Sequence, residues 1–263
     1  MTDPHSNGTP GGSWSFTATL HGFGEALRFL TIIPQPWLPP MSEWGMVRAI
    51  PFFPAAGLII GALLLPIGWL GGALWGELVR AVLLVTAWGI ITGGLHLDGL
   101  SDTFDAVMSW RPRERKLEIM KDSRIGAMGS LALVAVLLLK VAFLTSAGDL
   151  WWQAILLAPL LGRWSDCYGI YFYPPAREGG LGRSFHDQVQ RRDFWFASAL
   201  TLTAAILIAG LSGLAALLLC WSVAWLLARW WVRDLGGLTG DTYGALCEIG
   251  EVVVLATLTV ALF

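Results

Sequence analysis

Asp98, Asp102 and Asp105 stand four and three residues apart in the run Gly-Gly-Leu-His-Leu-Asp-Gly-Leu-Ser-Asp-Thr-Phe-Asp over 93–105. On a helix that spacing is i, i+4 and i+7, which places the three carboxylates on one face. Like charges so arranged repel and destabilise an isolated helix. Something positive must face them, and hard carboxylate oxygens suit Mg²⁺ or Mn²⁺. One or two carboxylates in a first turn are commonly explained by complementing the helix dipole. Three on one face, directly after an apolar segment, favour a divalent ion, because charge near bilayer depth is costly.

Two further clusters bear on phosphate chemistry. Lys121, Asp122, Ser123 and Arg124 run into Ile125-Gly126 just before a new apolar stretch. An arginine fork matches phosphate oxygens and glycine lets the backbone come close, although ordinary basic flanking of a span explains Lys121 alone equally well. Thr239 and Asp241 lie in Gly-Gly-Leu-Thr-Gly-Asp-Thr-Tyr-Gly over 236–244, a glycine-rich turn that opens a helix whose free N–H groups receive an anion. His96 has the chemistry of a base or of a cap on the preceding span. Inside apolar segments, Arg163 and Asp166 are spaced to pair, and Lys140 stands alone between Leu139 and Val141. Intramembrane charges are functional candidates, with a pairing that merely orients helices as the competing reading.

The elements that position these residues are apolar helices. Of 263 residues, 55% are hydrophobic and 14% charged, with a mean hydropathy of +0.62, too apolar for a soluble domain of this size. A span needs roughly 20 apolar residues, so the expected fold is all-α, a polytopic membrane bundle of about six or seven spans. They are expected at about 50–75, 81–97, 129–147, 150–173, 194–212, 213–231 and 243–263. The segment 20–33, stopped by four prolines between 34 and 40, is too short to span and fits an interfacial or re-entrant helix. Residues 1–19, rich in Gly, Pro, Ser and Thr, read as a disordered tail without a secretory signal, leaving 20–263 as one membrane-embedded catalytic domain. Cys167, Cys220 and Cys247 show no metal or disulfide spacing and read as buried thiols. A formal net charge of −2 gives no reason to expect nucleic acid as a partner.

Arg and Lys gather in three alternate connections, around 111–124, 177–192 and 229–233, while the intervening turns are nearly bare apart from Arg80. All three then fall on one side, which the positive-inside rule makes cytoplasmic. That step unites the acidic run, the Asp-Ser-Arg cluster and Asp241 in a single site.

With these residues in view, the chain resembles the cobalamin synthase family, the adenosylcobinamide-GDP ribazoletransferases, which are integral membrane enzymes. The resemblance covers about residue 25 to the C-terminus. It rests on Phe29-Leu30-Thr31, Phe53-Pro54, Gly93 to Leu100 with Asp102 and Asp105, Lys121 to Gly126, Gly162-Arg163-Trp164 and Gly237 to Asp241. Family members often carry threonine where Ala127 stands and glycine where Ala106 stands, and neither change touches the chemistry.

The resemblance implies a Mg²⁺-dependent transferase in the bacterial inner membrane, completing the nucleotide loop of cobalamin. A hydroxyl of α-ribazole, or of its 5′-phosphate, attacks adenosylcobinamide-GDP, and GMP leaves. Expected metal ligands are Asp98, Asp102, Asp105 and Asp241, with Asp105 also a candidate base beside His96. Lys121, Asp122, Ser123, Arg124, Arg163 and Thr239 are expected to hold the phosphates. The lipid bilayer is the other expected partner, and a homo-oligomer is compatible with the sequence. A CDP-alcohol-type lipid phosphotransferase would share the electrostatics, and a transporter would also place ions within helices, though at the midplane of matching halves.

Overall fold

The computed structural model describes residues 16–39 and 43–260. Eleven α-helices are found among them: α1 (Phe16–Leu30), α2 (Glu43–Ala49), α3 (Phe53–Trp75), α4 (Glu77–Ile91), α5 (Leu95–Val107), α6 (Arg113–Ile119), α7 (Ala127–Ser146), α8 (Trp151–Phe172), α9 (Leu181–Gln188), α10 (Arg191–Leu235) and α11 (Gly240–Thr259). The architecture is the expected all-α membrane bundle. Residues 16–19 of the expected tail belong to α1, and its first fifteen residues lie outside the described ones. Apolar residues at 16, 20, 23, 27 and 30 keep a helical period across the whole of α1.

By length and composition four helical stretches can cross a membrane: Gly45–Trp75, α7, α10 and α11. A fifth is added if α4 and α5, bent by 90° at their junction, are taken together. This is somewhat fewer than the six or seven expected. The difference lies in two places. Helix α8 is long enough, at 22 residues, but carries Gln153, Arg163 and Asp166. Helix α10, 45 residues long, counts once although Gly210 has non-helical angles, φ 55 and ψ −127. Along an unbroken helix residues 205 and 213 would stand roughly 12 Å apart. Instead a Cβ on Gly213 would lie 2.0 Å from the Ala205 carbonyl oxygen, so the chain folds back on itself after Gly210 and α10 is two antiparallel arms. The glycine turn expected near residue 212 is there.

The centre of the bundle is α8, buried from Leu157 to Ile170 without interruption. Two glycines of α3 let the helix backbones touch. A Cβ on Gly57 would come within 2.2 Å of the Pro159 carbonyl oxygen, and one on Gly61 within 2.5 Å of that of Ile155. Small residues four apart at an interface are the usual way membrane helices approach closely, since lipid supplies little hydrophobic drive between them.

The span expected over 81–97 stops early, at Ile91. Gly93 and Gly94 both sit at positive φ, 60° and 69°, a region open to glycine at little cost and strained for other residues. There the chain turns by 90° into α5, which packs along α7 and α11 and carries the acidic residues toward the starts of both helices, at one end of the bundle. At that end the connections are tied together. Leu238 is bonded to residues on both sides of Pro175: Ala176 N–H donates to Leu238 O and Leu238 N–H to Pro174 O, each at 2.8 Å. Arg113 donates to Leu235 O at 2.6 Å and to Ala176 O at 3.0 Å, and Lys116 binds both oxygens of Asp234 at 2.6 and 2.7 Å. The three basic connections therefore share one face, as the charge pattern required.

Candidate active site

Helix α5 meets the start of α11 almost backbone to backbone. A Cβ on Gly99 would lie 2.7 Å from the Asp241 carbonyl oxygen, and one on Gly244 would lie 3.0 Å from that of His96. Only residues without a side chain permit this crossing, and it sets Asp98 and Asp102 beside Asp241. Thr239 caps α11: its hydroxyl accepts from the Thr242 N–H at 3.2 Å, while the Thr242 hydroxyl accepts from the Thr239 N–H at 2.8 Å. The reciprocal cap fixes the first turn, on which Asp241 stands. Its Oδ2 accepts from the Thr239 hydroxyl at 3.2 Å and lies 3.4 Å from Arg177 Nη2.

Asp102 shows what this crowding does. Its pKa is pushed up to about 7, first by burial and then by the carboxylates of Asp98, Asp241 and Asp105, with Arg177 opposing. Asp98, Asp105 and Asp241 thus act on Asp102, with Arg177 as the opposing charge.

Asp105 is drawn to a different task from the one its spacing implied. Its two oxygens accept the backbone N–H of Gly126 at 2.7 Å and of Gly129 at 2.8 Å, capping α7 from another helix. A Cβ on either glycine would lie within 2.4 Å of an Asp105 oxygen. Asp105 therefore anchors the Lys121–Gly126 loop against the acidic helix. Within that loop Arg124 is turned to solvent and paired with Asp122 at 2.6 Å, a contact that lowers the Asp122 pKa to about 2. Lys121 and Ser123 are exposed beside it.

Arg163 and His96 do not sit with the other expected site residues. Arg163 is wholly buried and forms its ion pair with Glu251, not with Asp166 as its spacing predicted. A partner across the bundle wins because Glu251 must also be neutralised there. His96 is buried, with one ring nitrogen 3.3 Å from Arg163 Nη2 and the other 3.3 Å from Asp166 Oδ2, so it faces the core. Lys140 is not alone: it binds Glu248 at 2.6 Å and also Glu251. Sequence reasoning missed Glu248 and Glu251, for which two acids three apart in the last apolar helix were the available signal. It also passed over Arg177, which lay in the second basic segment without a motif around it.

Two cavities border the acidic group. A smaller one, of about 210 Å³, is lined by Arg177, Arg183, Gly180, Thr239, Gly240 and Asp241. A larger one, of about 670 Å³, has mainly apolar walls including Phe29, Leu97 and Leu133, with Asp98 and Ser101 at its edge. Among the described residues, no three carboxylates of this face bring their oxygens within 4.8 Å of one another; the trio that does meet that distance is His96, Asp166 and Cys247 in the core. Mg²⁺ does not require such convergence, since it keeps several waters and is held by one or two carboxylates together with substrate phosphates. The donor set fits that ion.

Fold and site together define a polytopic helical membrane protein whose polar chemistry is gathered at one end of the bundle. The chain belongs to the cobalamin-5-phosphate synthase family, whose model matches residues 22–259. It is 62% identical over 259 residues to an adenosylcobinamide-GDP ribazoletransferase of Roseiflexus sp. (strain RS-1), covering 98% of this chain and 96% of that one. To the protein of the same name from Herpetosiphon aurantiacus it is 54% identical over 233 residues, 88% and 93% of the two chains. To that of Pseudomonas syringae pv. syringae it is 41% identical over 246 residues, 90% and 98%. No solved structure matches the chain.

Proposed function

We infer that this protein is an adenosylcobinamide-GDP ribazoletransferase, a membrane-embedded transferase of cobalamin biosynthesis. It joins α-ribazole, or its 5′-phosphate, to adenosylcobinamide-GDP with release of GMP. Near-complete coverage of relatives bearing that name supports the reading. The observation that carries it in the structure is the meeting of Asp98, Asp102 and Asp241 beside Arg177, between two cavities.

Phosphoryl transfer asks mostly for positioning and for neutralised charge. Asp98 from α5 and Asp241 from α11 are the carboxylates proposed to hold Mg²⁺, which when bound supplies charge neutralisation at the diphosphate. Arg177, whose Nη2 lies 3.4 Å from Asp241 and which lines the smaller cavity, is proposed to hold phosphate oxygens, and Thr239 offers a hydroxyl beside it. The attacking hydroxyl forms the new P–O bond, the bond to GMP breaks, and the hydroxyl proton passes to a carboxylate. Asp102 suits that step, since a base with a pKa near 7 is half ready at neutral pH. Lys121 and Arg124 flank the site from the loop that Asp105 anchors. The face carrying the three basic connections is proposed to be cytoplasmic, in the inner membrane of a bacterium.

The test is direct. Purified protein in detergent is given adenosylcobinamide-GDP, α-ribazole 5′-phosphate and Mg²⁺, and GMP and corrinoid products are separated by chromatography. Equimolar GMP and cobalamin phosphate are expected, abolished by chelation and restored by Mg²⁺. Undiminished turnover in excess chelator removes the metal from the proposal.

A further inference from the structure

Beneath the acidic face, six ionisable side chains from four helices meet in the interior of the bundle: His96 of α5, Lys140 of α7, Arg163 and Asp166 of α8, and Glu248 and Glu251 of α11. None is more than 5% exposed. Lys140 donates to Glu248 at 2.6 Å and to Glu251, whose other oxygen accepts from Arg163. Lys140 Nζ also lies 4.3 Å from the centre of the Trp88 ring of α4. Two cations are thereby matched by two glutamates, and the remaining carboxylate, Asp166, faces His96.

The hydrogen-bond inventory settles the state of that imidazole. A guanidinium only donates, so Nδ1 of His96, 3.3 Å from Arg163 Nη2, has to be the acceptor. Its proton then sits on Nε2, which lies 3.3 Å from Asp166 Oδ2. A neutral ring is thus set between Arg163 and Asp166. This also speaks against a metal bound by His96, Asp166 and Cys247, because Arg163 already brings positive charge to the same ring.

Buried ion pairs are a poor source of stability, and apolar replacements of equal volume often do better. In some proteins such groups select one arrangement of helices, and here one helix needs selecting. Helix α5 is 13 residues long and leaves α4 through two glycines with a turn of 90°, so side-chain contacts along α5 are needed to hold it against its neighbours. His96 is the member of the network that belongs to α5, and Asp98 follows two residues later.

We propose that His96 is a positioning residue: through it the buried network fixes α5 against α11, so that Asp98 and Asp102 stand opposite Asp241. This rests on the reading of Asp98 and Asp241 as cation ligands, and the test separates the two ideas. Full-length wild type, His96→Phe and His96→Gln are compared in detergent. Mn²⁺ affinity is read by electron paramagnetic resonance of the free ion, and backbone hydrogen exchange of α5 by mass spectrometry.

His96→Phe should weaken Mn²⁺ binding roughly 10- to 100-fold, the usual cost of losing an outer-shell partner, and speed exchange in α5. His96→Gln, whose amide can accept from Arg163 and donate to Asp166, should recover most of both. If His96→Phe does not fold, Asp166→Leu, which removes the acceptor facing Nε2, is measured in its place with the same expectation. Wild-type values for both readouts in His96→Phe overturn the proposal, as do equal losses in the Phe and Gln variants. A wild-type protein that binds no Mn²⁺, with α5 still loosened in His96→Phe, overturns the cation site and upholds the anchoring.

Discussion

The molecule holds two groups of charges stacked one above the other, and they are organised in opposite ways. In the core, Lys140 and Arg163 are matched by Glu248 and Glu251, and His96 faces Asp166. At the end of the bundle, Asp98, Asp102 and Asp241 crowd together with Arg177 as the near counter-charge, and the burden shows on Asp102. A charge group that closes on itself holds helices in place. One left with an excess of a single sign is completed by a ligand. The same residue types serve structure in one place and chemistry in the other, and what separates them is the balance.

Lys140→Met breaks the balanced group and should have the largest effect. Leaving Glu248 and Glu251 with one cation between them is expected to cost about 3–5 kcal/mol, as for other buried pairs deprived of one partner. Loss of thermal stability in detergent is the measurement, and Glu248→Gln added to Lys140→Met should restore part of it. An unaltered melting temperature would erase the distinction between the two groups.

The unbalanced group should respond the other way, in rate and not in fold. Asp102→Asn is expected to lower kcat about 100- to 1,000-fold, within the range for loss of a general base. In the absence of metal the variant should be at least as stable as wild type, because one repelling carboxylate is gone. A destabilised Asp102→Asn would place Asp102 with the structural charges.

The pH dependence sharpens the same contrast. Because the Asp102 pKa is raised from 3.8 to about 7, ionising it costs the folded state. Metal-free protein should therefore lose stability as pH climbs from 3.8 toward 7. Activity runs opposite, since the carboxylate form is needed. It should fall about tenfold per pH unit below that pKa at low Mg²⁺. Raising Mg²⁺ should move this limb to lower pH, because a nearby cation favours the ionised form. A limb that ignores Mg²⁺ would separate Asp102 from the metal.

The smallest effects are expected among the arginines. Arg177→Ala, which removes the counter-charge beside Asp241, should raise KM for adenosylcobinamide-GDP by about tenfold, a typical yield for one charge-assisted hydrogen bond. Arg124→Ala should change KM less, since Arg124 is 86% exposed and already bound to Asp122. A larger effect at Arg124 than at Arg177 would reverse the assignment of the phosphate contact.

Much of this was legible in the residues alone. Apolar runs of spanning length determine a helical membrane bundle, because lipid leaves the backbone no other way to satisfy its hydrogen bonds. The three alternate basic segments determine that the acidic run and Asp241 share a face, and the ordered motifs from Phe29 to Asp241 determine the family. These are local or additive properties, read without knowing what touches what. Tertiary structure decided the rest. That Asp105 caps α7, that Arg163 takes Glu251 and leaves Asp166 to His96, and that Lys140 finds Glu248 are choices of partner across 21 to 108 residues of chain. A buried charge takes whichever opposite charge the packing brings within reach, and here glycine contacts at Gly57, Gly61, Gly99 and Gly244 set the packing by letting backbones touch.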